Sequence, residues 1–353
     1  MKRPIVLLAS GAFVLCLVTL FSFFSSPDWH QWTPRPYSLP NHSPHTLREQ
    51  LNLAFPYLSN QAESSFPSII WQTWKTSPDA ADWPEEFNPL RKSWKDLNPS
   101  AEMRLLTDAD AATMVENVFK NVPDVVYAYH LLPLPILKAD FFRYLILLHE
   151  GGTYTDIDTE ALKPINTWTK HGARQLNTNV RIVIGVEADP DREDWRQWYA
   201  RRLQFCQWTI HSKPRHPILV EVVARITELT LAMHREGRLG AAESMDEILN
   251  HTGPGIWTDA IFAYFNIAPR QGPINNNTFF NLREPKVVDD VLVLPITSFS
   301  PGMGFPGSEG TDHALAYVRH AFGGKSAMYK VQWMMTQGIR FLENENRRVK
   351  ENM

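Results

Sequence analysis

The sequence predicts an α/β fold. From Phe66 onward, short β-prone runs alternate with longer segments of helical periodicity, the order expected of an open sheet flanked by helices. At Lys138–Pro164 an apolar helical run meets a Gly pair and then a short extended segment carrying two carboxylates. The chain is also large enough: 353 residues, 44% hydrophobic and 12% aromatic, bury a substantial core in one large domain or two small ones. A net charge of -3 and a pI near 6.5 give no basic footprint, which excludes nucleic acid as a partner.

Lys2 and Arg3 precede Ile5–Phe24, a run of 20 residues without a charge. That matches the ~20 needed to cross a bilayer as a helix, and the positive-inside rule puts residues 1–4 in the cytosol. A cleaved signal peptide would carry an apolar region of only ~7–15 residues ending at a small-residue site. This run is longer and finishes Phe21-Ser22-Phe23-Phe24, so residues 5–24 read as an uncleaved type II anchor, with the chain beyond about Ser25 in a secretory lumen. Sequons at Asn41, Asn250 and Asn276 agree with a lumenal location. Cys206 is the only cysteine beyond the span, so no disulfide closes there, and it reads as a buried thiol. Residues 25–65, with Pro27, Pro34, Pro36, Pro40 and Pro44, read as a lumenal stem holding one short helix at Thr46–Leu58.

The first core strand lies in P-S-I-I-W-Q-T-W-K and ends in polar Gln72 and Thr73, with Trp71 and Trp74 in the core. Ligands of open α/β sheets bind outside the carboxyl ends of the strands. Gln72 and Thr73 are therefore candidates for base or ribose contacts, or else an ordinary exit from the strand. A helix over Pro89–Leu97, a strand in A-E-M-R-L-L-T, a helix over Ala109–Lys120 opened by a Thr107/Asp110 capping box, and a helix over Asp124–His130 follow. Pro133 and Pro135 then lead into the helix of Asp140 and Arg143. Further on come a strand at Arg181–Glu187 and a segment dense in Trp, Tyr and Arg, which suits either a sugar groove or a core with a snorkelling rim. Next are a helix over Pro217–Glu236, a turn at Thr252–Gly255 before a helix over Trp257–Tyr264, one strand over Val287–Leu294, and an apolar strand ending at His320.

In T-Y-T-D-I-D-T the two-residue period of a strand aims Asp156 and Asp158 to one side and turns Ile157 to the packed layer. Two converging carboxylates suit a hard divalent cation, Mg²⁺ or Mn²⁺, left open to phosphate oxygens, and so a nucleotide diphosphate. An Asp-x-Asp alone reads equally as a solvated turn. Its context differs: Asp140 and Arg143 share one face of a helix otherwise filled by Phe141, Phe142, Tyr144, Leu145 and Leu148, and Gly151-Gly152 supplies a left-handed cap. Gly152 and Tyr154, on the stretch leading to Asp156, join the nucleotide-side candidates. His320 alone would be structural; beside an Asp-x-Asp it becomes a candidate third metal ligand. Lys325, after a second Gly pair, becomes a diphosphate contact.

Four stretches resemble glycosyltransferase family 32: I-I-W-Q-T-W-K; L-K-A-D-F-F-R-Y-L-I-L-L-H-E-G-G-T-Y-T-D-I-D; E-A-D-P-D-R with R-R-L-Q-F-C-Q-W-T-I-H-S-K-P-R-H-P-I-L; and T-G-P-G-I-W-T-D. The third is similar to the branch of fungal initiation-specific α-1,6-mannosyltransferases of the Golgi. The resemblance runs from about Phe66 to about Lys325, together with the anchor. It implies a GT-A fold, the Rossmann-like nucleotide-sugar-binding architecture, as a single catalytic domain at 66–340 before a tail at 341–353. It also implies a GDP-mannose donor, Mn²⁺ (or Mg²⁺), and retaining transfer to the N-linked oligosaccharide core of glycoproteins at the Golgi membrane. Asp156 and Asp158 match the family's Asp-x-Asp, Asp158 as the more direct metal ligand; Asp140 and Arg143 match the pair that holds the donor sugar's hydroxyls; His320 is similar to the His of a C-terminal His-x-x-Gly motif. There the chain departs, reading G-G-K-S-A-M where the family continues Gly-Ser-Trp-Lys. The implied chemistry is glycosyl transfer, with the cation and Lys325 neutralising the departing GDP and Asp140 and Arg143 fixing an oxocarbenium-like sugar. The rivals are a family-32 enzyme using another sugar nucleotide or another acceptor, such as an inositol phosphoceramide, and a lectin-like membrane protein without turnover. A complex with other Golgi enzymes stays open.

Overall fold

The computed structural model describes residues 45–57, 65–171, 174–175, 179–189, 195–197, 199–240, 245–267, 272–302 and 307–321. The expected cytosolic tail and anchor, the stem before residue 45, Asn41, Lys325 and the C-terminal tail lie outside them. Among the described residues no helix is long and apolar enough to cross a membrane.

Capping chemistry opens the first helix, α1 (Leu47–Ala54): Thr46 accepts from the Glu49 N–H while Glu49 accepts from the Thr46 N–H. It ends before the expected Leu58. Strand β1 (Ile69–Trp74) runs one residue beyond Gln72-Thr73, and α2 (Phe87–Leu97), β2 (Glu102–Thr107), α3 (Asp108–Val118), α4 (Pro123–Leu131) and α5 (Pro135–His149) follow. The expected Thr107/Asp110 capping box starts α3. Then come β3 (Gly152–Thr155), β4 (Thr159–Ala161), the antiparallel pair β5 (Lys170–His171) and β6 (Arg174–Gln175), β7 (Ile182–Ala188), β8 (Gln204–Phe205) and β9 (Thr209–Ser212). The chain continues through α6 (Pro217–Arg235), α7 (Met245–His251), α8 (Pro254–Phe265), α9 (Asn276–Phe279), β10 (Lys286–Val288), β11 (Val291–Leu294), α10 (Ile296–Phe299) and β12 (Val318–His320).

The main sheet has the order β10-β11-β7-β9-β3-β1-β2, with β8 beside β7. β1 pairs in parallel with β2 and β3, and β7 with β11, whereas β9 is antiparallel to both β3 and β7. Strands β2, β1, β3, β7 and β11 therefore point one way, and their carboxyl ends form one rim. One face packs Ile182, Ile184 and Val186 of β7 against Phe141, Leu145, Val222 and Trp257 of α5, α6 and α8. The other packs Val183 and Leu292 against Trp94, Trp168, Phe299 and Tyr317. Burial on both faces explains the near-continuous apolar character of β7 and β11.

Two expectations are corrected. V-V-D-D-V-L-V-L is not one strand but the antiparallel pair β10–β11, turned at Asp289 (φ 54) and Asp290. The paired aspartates do not lie on a strand: β3 stops at Thr155, and Asp156-Ile157-Asp158 is the turn into β4.

Candidate active site

The rim at the end of β3 is positioned by α5 and the glycines that stop it. Pro135 sits in the first turn, where its missing N–H costs nothing. Gly151 (φ +67) closes the helix, and a Cβ there would lie 2.6 Å from the Pro214 nitrogen; one on Gly152 (φ +96) would lie 2.7 Å from the Ile69 carbonyl oxygen. Glycine is thus required at both positions, and Gly152 lies against β1 at the start of β3, apart from the acidic group.

Asp140 and Arg143 are only 4% and 3% exposed. Arg143 donates through Nη1 to Asp140 and through Nη2 to Asp156 Oδ1 at 3.0 Å, and its guanidinium lies over the Tyr154 ring at 5.1 Å. Thr252 Oγ1 donates to Asp140 Oδ2 at 3.3 Å. Burial pushes the Asp140 carboxyl up, against the opposing Arg143 charge. Burial also works against the guanidinium, but the Asp140 and Asp156 carboxylates outweigh it and hold Arg143 well above its ordinary value. Arg143 is a fixed cation bridging two carboxylates. Burial likewise raises the Tyr144 and Tyr154 phenols and keeps them protonated. Tyr144 donates to Gln207 Oε1 at 2.6 Å and stacks on Trp257; the Tyr154 hydroxyl meets Thr73 Oγ1 at 3.0 Å.

The acidic turn is pinned at both ends. The Asp156 N–H donates to the Trp208 carbonyl at 2.8 Å, Thr159 Oγ1 donates to the Asp156 carbonyl at 2.6 Å, and the Ala321 N–H donates to the Asp158 carbonyl at 2.8 Å. Ile157 is buried with Trp83 and Phe87. Strand β12, paired with β4, brings His320 Nε2 to 3.4 Å from Asp158 Oδ1. Ligand atoms of Asp156, Asp158 and His320 all lie within 4.8 Å of one another. Two carboxylates and an imidazole fit a divalent cation that takes nitrogen as well as oxygen, so Mn²⁺ suits this set better than Mg²⁺.

The structure thus brings Asp140, Arg143, Tyr154, Asp156, Asp158 and His320 together, with Thr73 joined through Tyr154. Gln72 is buried on β1, where its Oε1 accepts from Arg91 Nε at 3.2 Å. Gln207 and Thr252 were not anticipated as site residues. Neutral polar side chains carry no periodic or charge signal; T-G-P-G announced only the turn in which Thr252 sits.

The family model described as a glycosyltransferase sugar-binding region containing the DXD motif matches residues 84–174, which hold α5 and the acidic turn. Over 304 residues the chain is 44% identical to the initiation-specific alpha-1,6-mannosyltransferase of Candida albicans, covering 82% of this chain and 78% of that protein. The protein of the same name from Schizosaccharomyces pombe is 46% identical over 263 residues, 74% of this chain and 64% of its own. That from Saccharomyces cerevisiae is 34% identical over 393 residues, 79% and 81% of the two chains.

Proposed function

Because the chain belongs to the glycosyltransferase family whose sugar-binding region contains the DXD motif, we propose that it is an α-1,6-mannosyltransferase of the Golgi, which moves mannose from GDP-mannose to the N-glycan core and starts the outer chain. The observation that carries this reading is identity of 34% to 46%, along most of the chain, to relatives bearing that activity in their names. The mixed α/β sheet with its functional rim at the strand carboxyl ends favours a GT-A architecture. On the same reading residues 5–24 anchor the protein as a type II membrane protein, 25–65 form the stem, 66–340 the catalytic domain, and Lys325 a diphosphate contact.

Asp156, Asp158 and His320 would hold the divalent cation. When bound, it supplies charge neutralisation at the diphosphate leaving group. Asp140 accepts from Thr252 on one oxygen and from Arg143 on the other, so its orientation towards the donor sugar's hydroxyls is fixed before substrate arrives. Arg143 stays charged through the reaction and ties that sugar-facing carboxylate to Asp156, keeping the two halves of the site in register.

The test is an assay with GDP-mannose and a high-mannose N-glycan, with and without Mn²⁺, followed by linkage analysis. The expected product carries one added α-1,6-linked mannose, and chelation abolishes it. Asp158→Asn should lower turnover by about 10²-fold or more with the circular dichroism spectrum unchanged. Turnover close to wild type would remove the metal assignment, and transfer only to an inositol phosphoceramide would replace the acceptor.

A further inference from the structure

We propose that Gln207 is a further specificity-determining residue, whose amide N–H stands beside the Asp140 carboxylate so that the two together recognise one hydroxyl of the transferred sugar; this rests on reading Asp140 as the carboxylate that faces the donor sugar of a transferase. Gln207 lies between β8 and β9. From Leu203 to Lys213 every other residue is buried, and Gln207 alone is partly exposed. A polar side chain is thus left open to solvent in a stretch that otherwise belongs to the core.

The main chain on either side is pinned. The Cys206 N–H donates to the Gly185 carbonyl at 2.8 Å, and the Cys206 carbonyl accepts from Trp257 Nε1 at 3.0 Å. The Trp208 carbonyl accepts from the Asp156 N–H at 2.8 Å, which bonds the residue after Gln207 to the acidic turn. The side chain is held as well. Gln207 Oε1 accepts from the Tyr144 hydroxyl at 2.6 Å, and the Tyr144 ring stacks on Trp257, the indole that also holds Cys206, with centroids 5.2 Å apart. Tyr144 and Asp140, four residues apart, share one face of α5. The Gln207 side chain also hydrogen-bonds the Asp140 carboxylate. An ionised carboxylate only accepts, so that bond comes from the amide nitrogen while the amide oxygen stays with the phenol; the flipped amide would set oxygen against carboxylate.

A carboxylate offers about four acceptor positions. Asp140 gives them to Arg143, Thr252 and Gln207, so one remains. The Gln207 nitrogen carries two hydrogens, and among the described residues Asp140 is its one partner. One acceptor and one donor therefore stand side by side at the partly exposed member of a group in which Asp140, Arg143, Tyr144 and Thr252 are all buried. A sugar hydroxyl both donates and accepts, and fits that pair. A hydrogen in its place leaves both groups unpaired, which is how a site built to hydrogen-bond a hydroxyl rejects the analogue lacking it.

The experiment uses the full chain in Mn²⁺ without acceptor. Calorimetry gives the affinities of GDP, GDP-mannose and the GDP-mannoses deoxygenated singly at C2, C3, C4 or C6. Wild type should bind one of the deoxy donors about 10-fold or more below GDP-mannose. Gln207→Met keeps the length of the side chain without its polar atoms, and leaves the Tyr144 hydroxyl the Thr252 carbonyl at 3.3 Å. In this variant GDP affinity should match wild type and GDP-mannose affinity should fall by about 10-fold. The penalty for that same deoxy donor should shrink by about 3-fold or more, while those at the other positions stay as they are. Penalties unchanged at every position overturn the proposal, as does a GDP affinity that falls in step with that for GDP-mannose. If Gln207→Met does not fold by circular dichroism, Gln207→Glu, which still accepts from Tyr144 but has no N–H, is judged by the same two criteria. A wild type that penalises a deoxy donor equally with and without Gln207 defeats this inference alone; a wild type that binds every deoxy donor as well as GDP-mannose defeats the sugar-facing reading of Asp140 and the inference with it.

Discussion

Arg143 serves two carboxylates with one planar group, which a lysine could not do. Its guanidinium reaches Asp140 and Asp156 from different nitrogens while its face covers Tyr154. Removing one partner of such a buried pair leaves an uncompensated charge, at a cost of about 3–5 kcal/mol. Arg143→Ala should therefore lose both stability and activity. Arg143→Lys is the sharper probe: it keeps the charge and satisfies one carboxylate, so thermal stability should fall only modestly while kcat falls by about 10-fold to 100-fold. A kcat near wild type in Arg143→Lys would show that Asp140 and Asp156 need no common clamp. At this scale the charged members of the site were legible, because a carboxylate or guanidinium inside an apolar helix is expensive without a purpose. Gln207 and Thr252 were not, since their approach to Tyr144 and Asp140 spans 63 and 112 residues of sequence and arises only on folding.

The helix-to-strand junction depends on glycine for two separable reasons. At Gly151 the φ of +67 strains any side chain, and Pro214 and Ser212 also occupy the space where a Cβ would sit. At Gly237 the φ is +66 with nothing within 4 Å. Gly237→Ala should thus cost only the conformational part, about 1–2 kcal/mol. Gly151→Ala should add backbone displacement and lose about 1–3 kcal/mol more. Chemical unfolding of the two variants side by side checks this, and equal losses would mean that the Pro214 contact yields freely. The left-handed cap was readable from Gly-Gly after an apolar helix. The β10–β11 turn was not: Asp289-Asp290 lacks the glycine that marks a two-residue hairpin, and the flanking apolar run reads continuously through it. The acidic turn was misplaced on a strand for a related reason, since Ile157 is buried in either geometry and alternation alone cannot distinguish them.

Over the whole molecule the two ends of the sheet divide the work. The carboxyl-end rim carries the cluster of Asp156, Asp158 and His320, while beside the first residues of β11 Asp290 accepts from the Tyr57 and Tyr264 hydroxyls at 2.7 Å and lies 3.3 Å from His216 Nε2, tying the chain ahead of β1 to α6 and α8. The alternation of strands and helices was legible. The antiparallel β9 in mid-sheet was not, because pairing between strands far apart in sequence has no local signature. That strand carries His211, buried at the centre, stacked on Phe66 and sharing a 2.8 Å hydrogen bond with Thr153. Burial pushes the His211 imidazole down from 6.5 to about 3. The unfolded chain therefore takes up this proton first as the pH falls, so the contribution of His211 is complete above about 6.5 and is lost progressively down to about 3. His211→Gln stays neutral throughout and escapes this loss. The stability difference between wild type and His211→Gln should thus shift against wild type as the pH falls through that window, by up to about 1.4 kcal/mol per pH unit. Urea unfolding of both proteins across the window measures it, and a difference that stays constant with pH would mean that His211 can hold its charge inside the sheet.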